Sequence, residues 1–140
     1  MKVLVTGAFG FIGSNVCKAL EERGAKVVAL DNFYSADFKN LEDFKGEVII
    51  GDILDQDILK KLPAFDGVIH EAAITDTTLK DSQKMLRVNF EGFKNILDFC
   101  LRKKVKSFVY ASSAGVYGDG PSPMQENQRP RPLNTYAYSK

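Results

Sequence analysis

The sequence predicts an α/β fold in which a doubly wound parallel sheet is covered by helices on both faces. Short runs of Val, Ile, Leu and Ala alternate with stretches of helical periodicity along the 140 residues. These apolar runs are continuous, which indicates strands that are buried on both faces, as in a parallel sheet. Small or polar residues follow each run, at the strand ends where doubly wound sheets bind ligands.

Five runs are predicted strands and four stretches are predicted helices, and residues 1–140 are expected to form one domain. Right-handed crossovers between successive strands give the sheet order 3-2-1-4-5. The segment Gly118–Pro132 is rich in Gly, Pro and polar residues and is predicted to be a long loop. The strands are Val3–Thr6, Val27–Leu30, Val48–Ile50, Val68–His70 and Phe108–Ala111, and the helices are Phe11–Arg23, Phe38–Phe44, Ile53–Leu62 and Gln83–Arg102.

Composition is that of a globular protein and gives no sign of nucleic-acid or membrane binding. Hydrophobic residues make up 44% and charged residues 26%, and the net charge of +1 offers no basic surface to nucleic acid or anionic lipid. No run reaches the ~18 apolar residues of a membrane span, and the N-terminus lacks the features of a signal peptide. Cys17 and Cys100 lie in helical patterns without metal-ligand spacing. We therefore expect core thiols, no metal site and a cytoplasmic location.

The most informative motif is the glycine-rich turn after the first strand. Gly7, Gly10 and Gly13 follow one another at intervals of three residues. Gly7 suits a tight turn, Gly10 leaves bare backbone before a diphosphate, and Gly13 permits close packing of the helix. The first helical turn offers N–H groups and a positive dipole end to an anion. An ordinary strand-to-helix turn is the alternative interpretation.

The other strand ends also carry groups suited to a ligand. His70 ends a buried strand and is predicted to be structural rather than catalytic. Thr75, Thr77 and Thr78 either cap the following helix or contact a ligand, and the sequence leaves both open. The residues at the strand ends are Asp31 and Asn32 after the second strand, Asp52 and Ile53 after the third, His70–Ala73 after the fourth, and Ser112 and Ser113 after the fifth.

Tyr136 and Lys140 form a candidate catalytic pair. A spacing of four residues places both on one face of a helix. A tyrosine phenol is a weak base at neutral pH, but a neighbouring ammonium group favours its phenolate form. Ser113 could hold a substrate hydroxyl while Tyr136 moves its proton. A surface tyrosine beside an exposed lysine is the alternative.

These motifs resemble those of the extended short-chain dehydrogenase/reductases over essentially the whole chain. The likeness is carried by TGAFGFIGS, the acid after the second strand, ASSAGVYG, Asn89 in RVNFEGFKNIL, and PLNTYAYSK. The stretch HEAAITDTT is most similar to the ADP-glycero-manno-heptose 6-epimerases, whereas sugar 4-epimerases more often have HLAA there. The resemblance implies an incomplete Rossmann-type domain without its substrate domain. It also implies catalysis by Ser113, Tyr136 and Lys140.

The resemblance further implies a nucleotide-sugar epimerase of lipopolysaccharide-precursor synthesis. Such enzymes oxidise carbon 6 of the ADP-linked heptose to a ketone with tightly held NADP, and then return hydride to the opposite face. We therefore expect the chain to be the N-terminal portion of a longer, homo-oligomeric enzyme, with little or no activity by itself. A UDP-sugar 4-epimerase or nucleotide-sugar dehydratase is one alternative, and a non-catalytic dinucleotide-binding scaffold is another.

The resemblance and the strand ends together define a cofactor site. Lys39 matches a cofactor-binding lysine of the family only after a one-residue gap, and Gln56 replaces a second. Asp31 by itself favours NAD because a carboxylate repels a 2′-phosphate, whereas the family favours NADP. We predict NADP, with NAD as the alternative. The predicted cofactor-binding residues are Gly7, Gly10, Phe11, Ile12, Gly13, Asp31, Asn32, Lys39, Asp52, Ile53, Glu71, Ala72, Ala73, Ile74, Thr75, Asn89 and Lys140.

Overall fold

The computed structural model describes all 140 residues and contains one five-stranded sheet. Its order is β3-β2-β1-β4-β5 with every pair parallel, which confirms the predicted topology. No strand boundary differs from the prediction by more than one residue. The strands are β1 Lys2–Thr6, β2 Lys26–Asp31, β3 Glu47–Ile50, β4 Gly67–His70 and β5 Ser107–Tyr110.

Four α-helices and two tighter or wider helical turns connect the strands, and one more turn and a fifth α-helix follow the last strand. None of the helices combines the length and apolarity that crossing a bilayer requires. Residues 118–134, which contain the predicted loop, hold no helix or strand. The helices are α1 Phe11–Glu22, α2 Gln56–Lys61, α3 Ser82–Leu86, α4 Gly92–Lys103 and α5 Thr135–Ser139, and the turns are 3₁₀ at Phe38–Leu41 and Ala114–Tyr117 and π-helical at Arg87–Glu91.

Apolar side chains cover both faces of the central strands. Leu4 of β1 points into a cluster that includes Ile96 of α4, whereas its neighbour Val5 points into a cluster that includes Cys17 of α1. Each such side chain stabilises the fold by about 1.5–3 kcal/mol when fully buried. Cys100 lies in the first cluster, and burial raises the pKa of Cys17 to about 12 and that of Cys100 to about 11. The predicted doubly wound sheet with core thiols is confirmed.

The helix predicted over Phe38–Phe44 is wrong, because this segment forms only the 3₁₀ turn Phe38–Leu41. The Phe38 ring packs edge-on against Phe9, with ring centroids 5.3 Å apart. The side-chain amide of Asn40 donates to the Phe9 carbonyl oxygen at 2.7 Å. These contacts anchor a single turn to the glycine-rich segment, and so short a segment has little helical stability of its own.

Two further predicted helices differ from the structure, one at its start and the other in its middle. The helix predicted from Ile53 begins at Gln56, because the Asp55 carboxylate caps α2 by accepting from the N–H groups of Asp57 and Ile58 at 2.9 and 3.1 Å. The helix predicted over Gln83–Arg102 is interrupted by the π-helical turn, which no local residue pattern announces.

Candidate functional site

A cavity of about 550 Å³ opens at the carboxyl ends of the strands and is lined by 25 residues. Its volume lies within the range of ligand pockets. Segments that follow all five strands contribute to its walls, as the sequence predicts. Of the predicted site residues, those that line it are Gly7, Gly10, Phe11, Ile12, Gly13, Asp31, Asn32, Asp52, Ile53, Glu71, Ala72, Ala73, Ile74, Thr75, Tyr136 and Lys140.

The glycine-rich turn forms one wall of bare backbone. Gly7 has φ +64°, and a Cβ there would lie 2.6 Å from the Ala72 nitrogen. A Cβ on Gly13 would overlap the carbonyl oxygen of Gly7, so α1 can approach β1 only through glycine. No side chain caps α1 at Gly10, and its first turn carries no acidic residue. The helix therefore keeps free N–H groups and its positive dipole end for an anion, which fits the diphosphate of a dinucleotide.

Asp31 fixes the geometry beside this turn. One carboxylate oxygen accepts from the Phe9 N–H at 2.9 Å, and the other accepts from the Phe33 N–H at 2.8 Å. Phe33 has a left-handed backbone with φ +56°, and its ring stacks on Phe38 with centroids 4.0 Å apart. Asp31 as a whole is only 8% exposed, yet it lines the cavity. Asp31 therefore holds the glycine turn and the loop after β2 together and presents a fixed negative charge.

The loops after β2 and β3 are joined in the same way. The Asn32 amide donates to one Asp52 oxygen at 2.9 Å, and the other Asp52 oxygen accepts from the Leu54 N–H at 2.8 Å. Ile53 is buried against Gly92, where a Cβ would overlap the Ile53 side chain. This wall is therefore built before any ligand arrives.

His70 has the contacts of a structural residue. Its Nδ1 lies 2.6 Å from the Thr6 hydroxyl, which also accepts from the Ala72 N–H at 3.3 Å. Which of the two groups donates in the Thr6–His70 bond depends on the ring tautomer, and Nε2 is buried without a hydrogen-bond partner. Burial, and then the charge of Lys140, lowers the pKa of His70 to about 4. The ring is neutral at pH 7 and stacks on Tyr110 with centroids 5.8 Å apart.

The threonines after β4 do not cap the next helix. Asp81 caps α3 by accepting from the Lys84 N–H at 2.8 Å. Thr78 instead donates its hydroxyl to Asp76 at 2.6 Å, and this bond is the main reason that the pKa of Asp76 is lowered. Thr75 lines the cavity, so the capping alternative is wrong.

Asn89, on the π-helical turn, connects two walls of the cavity without lining it. Its oxygen accepts from the Ile74 N–H at 2.8 Å, and its amide donates to the Ile74 carbonyl at 3.0 Å and to the Ser139 hydroxyl at 2.8 Å. Asn89 is 2% exposed, so its side-chain oxygen and amide group form their hydrogen bonds within the protein. Asn89 positions α5 against the segment after β4, and a direct cofactor contact stays a prediction.

The far end of the cavity brings charged and phenolic groups together. The Lys140 ammonium lies 4.5 Å from the centroid of the Tyr110 ring. Burial lowers the pKa of Lys140 and raises that of Glu71, and the attraction between the two charges opposes both changes. Burial, and then the nearby Tyr136, raises the pKa of Tyr110. Tyr136 and Lys140 therefore share a partly desolvated corner in which electrostatic interactions are strengthened.

Ser113 lies beside this corner rather than in the cavity wall. Its hydroxyl oxygen accepts from the Gly115 N–H at 3.1 Å and caps the 3₁₀ turn Ala114–Tyr117. That turn packs on α5, since a Cβ on Gly115 would lie 3.4 Å from the Ala137 Cβ. Ser112 is the serine that lines the cavity. The predicted role of Ser113 toward a substrate is not tested by these contacts.

Lys39 is also outside the cavity wall: it is exposed on the turn after β2, and its N–H donates to Asp37 at 3.0 Å. Sequence reasoning missed several residues that do line the cavity. Those directly after Asn32 could have been found from their position at a strand end. The remainder come from α3, the π-helical turn and the strand ends. The missed residues are Leu30, Tyr34, Ser35, Ala36, Gly51, Lys84, Val88 and Ala111.

Known proteins share both the sequence pattern and the fold. The NAD dependent epimerase/dehydratase family matches residues 3–140. An ADP-L-glycero-D-manno-heptose-6-epimerase from Helicobacter pylori is 40% identical with a TM-score of 0.91, covering 99% of this chain and 47% of that one. A UDP-glucose 4-epimerase from Thermotoga maritima, solved with UDP-glucose, is 29% identical with a TM-score of 0.94, covering 100% and 48%.

A second UDP-glucose 4-epimerase, from Thermus thermophilus and in complex with NAD, is 33% identical with a TM-score of 0.91 and covers 100% of this chain and 47% of that one. The chain thus spans about half the length of these solved structures. The family match covers residues 3–140, and the three structural likenesses cover 99–100% of the chain. The chain belongs to the NAD dependent epimerase/dehydratase family.

Proposed function

We propose that this chain supplies the dinucleotide-binding and proton-transfer part of an NADP-dependent ADP-glycero-manno-heptose 6-epimerase. The observation that carries the proposal is that Tyr136 and Lys140 line the same cavity as the glycine turn and Asp31. The heptose assignment is supported by 40% identity to the Helicobacter pylori enzyme and by the HEAAITDTT stretch. Cytoplasmic location and self-association of the complete protein stay predictions.

Each end of the cavity has a role in this proposal. The bare backbone of the glycine turn and the start of α1 bind the diphosphate, and Asp31 accepts from the adenosine ribose. The chemistry that the nicotinamide would supply when bound is acceptance of hydride from carbon 6 of the sugar and its return to the opposite face. Tyr136 accepts the proton of the 6-hydroxyl and later gives it back. The Lys140 ammonium stabilises the phenolate, and Ser113 orients the hydroxyl from the adjacent turn.

The catalytic assignment is tested by Tyr136→Phe in the complete natural form of the protein. We expect turnover to fall about 10²- to 10⁴-fold, because general acid–base catalysis contributes on that order. Dinucleotide affinity should stay unchanged. The matched control is Tyr138→Phe, since Tyr138 is on the same helix, 73% exposed and outside the cavity. An active enzyme indifferent to Tyr136→Phe would refute the assignment.

The substrate assignment is tested by comparing turnover of ADP-glycero-manno-heptose with that of UDP-glucose. A UDP-sugar 4-epimerase is the second candidate, and the buried carboxylate of Asp31, which favours NAD, is the observation that supports it. Turnover of UDP-glucose alone would establish the second candidate. Dinucleotide binding with no turnover of either sugar by the complete protein would instead support a binding scaffold.

A further inference from the structure

Two lysines line the cavity, and their ammonium groups contact different parts of its wall. Lys140 lies with the phenols beyond β5, whereas Lys84 of α3 has its ammonium 4.3 Å from the centroid of the Tyr34 ring. Tyr34 and the cavity-lining Ser35 follow β2 almost directly after Asp31. We propose that Lys84 is the cation that binds the 2′-phosphate of NADP. This inference rests on the proposed function and deepens it by naming a determinant of cofactor choice.

Lys84 has a charge that no protein group neutralises. The two ion pairs of the structure are Lys60–Asp57 and Arg87–Glu91, so no carboxylate lies within 4.0 Å of the Lys84 ammonium. The Tyr34 ring orients the ammonium by a cation–π contact and leaves its charge available to an anion. The contact also joins two walls of the cavity, since Tyr34 lies on the loop after β2 and Lys84 on α3.

A cation near Asp31 would offset the repulsion between its carboxylate and a 2′-phosphate. Asp31 is held in place by the N–H groups of Phe9 and Phe33, so its carboxylate cannot swing away from an added phosphate. A 2′-phosphate therefore requires a nearby positive charge to offset the repulsion. Lys39, the lysine that the family resemblance implies, is exposed and does not line the cavity. Lys84 lines it together with Asp31 and Tyr34.

The experiment measures equilibrium binding of NADP⁺ and NAD⁺ to the 140-residue chain by calorimetry, for the wild type, for Lys84→Gln, and for Lys39→Gln, which tests the lysine that the family resemblance implies. Both side chains are exposed, so both variants should fold, and thermal unfolding without ligand checks this. We expect Lys84→Gln to weaken NADP⁺ binding about tenfold or more and to change NAD⁺ binding less than about twofold. Added salt should weaken NADP⁺ binding more in the wild type than in Lys84→Gln.

Each other outcome overturns the inference in a distinguishable way. Equal loss of both dinucleotides in Lys84→Gln would mean that Lys84 acts on the diphosphate or on cavity shape. Selective loss of NADP⁺ in Lys39→Gln would assign the 2′-phosphate to Lys39. Wild-type preference for NAD⁺ that Lys84→Gln leaves unchanged would remove the role of Lys84 while the proposed epimerase stands. Binding of neither dinucleotide by the wild type would defeat the proposed cofactor site as well.

Discussion

The two ends of the cavity are formed by different kinds of chemical group. At the glycine-turn end, residues 7–33 form a wall of backbone and one buried carboxylate, and its shape depends on steric fit and on hydrogen bonds to Asp31. The phenolic end gathers His70, Glu71, Tyr110 and Lys140 from three separate segments. Its groups have pKa values displaced by burial and by one another's charges.

The two ends of the cavity should therefore tolerate different kinds of change. An added methyl group in the glycine turn meets fixed backbone, whereas a change of pH leaves a steric fit unaffected. The phenolic end should tolerate small changes of shape and respond to protonation, because its geometry balances desolvation against charge. Variants at the two ends should therefore fail in different ways.

The largest expected effect is that of Gly13→Ala on folding. A Cβ there overlaps the Gly7 carbonyl oxygen and lies 2.9 Å from the Ala8 Cα, so backbone must move. We expect the free energy of unfolding to fall by about 3 kcal/mol or more, measured by urea denaturation. The matched control is Gly10→Ala, whose Cβ would lie 3.3 Å from the Gly7 oxygen at an ordinary φ of −68°.

Gly10→Ala should keep most of the stability and lose dinucleotide affinity about tenfold, because the methyl group enters the cavity where a diphosphate would lie. Equal stability of the two variants would show that the turn rearranges freely. The claim that the glycine-turn end is limited by steric fit would then be wrong.

The difference between local and long-range contacts also explains which features could be predicted from the sequence. Gly7, Gly13 and Asp31 were predictable because their roles are local: a left-handed turn, a close helix contact and a strand end each have a residue signature. The sheet order followed from buried strands joined by helices. By contrast, the 3₁₀ turn at Phe38–Leu41 depends on contacts with Phe9, which is distant in the sequence: Asn40 and Phe9 are 31 positions apart.

The cavity rim could be predicted less well because it depends on tertiary packing. Lys84 enters the cavity from α3 and no motif marks it, whereas Lys39 was chosen from a family likeness and lies outside the cavity wall. Asn89 was found as a motif residue, but its bonds to Ile74 and Ser139 exist only because a π-helical turn directs it inward.

An intermediate effect is expected from acid on the phenolic end. His70 has its pKa lowered from 6.5 to about 4, so between these values the unfolded chain binds more protons than the folded one. Its contribution to stability is therefore fully present above pH 6.5 and is lost as the pH falls toward 4. At 1.36 kcal/mol per pH unit, this amounts to about 2 kcal/mol lost by pH 5.

The measurement compares urea unfolding at pH 7 and pH 5 for the wild type and His70→Gln. The raised pKa of Glu71 acts in the opposite direction, since its folded form binds a proton more readily, but this contribution is common to both proteins. The difference between them isolates His70. If both proteins lose the same stability between the two pH values, His70 does not titrate as its burial implies.

The smallest effect tests how the Lys140 ammonium is held. The ring of Tyr110 is 4.5 Å from it, a contact that contributes about 0.5–1 kcal/mol. Tyr110→Phe keeps the ring and should leave dinucleotide affinity unchanged. Tyr110→Leu should weaken affinity about two- to fivefold, provided that Lys140 contacts the cofactor as predicted. Calorimetric titration of the two variants gives the comparison directly.

Tyr110 also packs on Phe93, with centroids 4.6 Å apart, so loss of shape and loss of the cation–π contact must be separated. A double-mutant cycle with Lys140→Met does this, because the cycle keeps only the part of the effect that needs both side chains. We expect the Tyr110→Leu effect to disappear in the Lys140→Met background. If it persists, the ring acts by packing alone. The phenolic end would then be maintained by steric contacts of the same kind as the glycine turn.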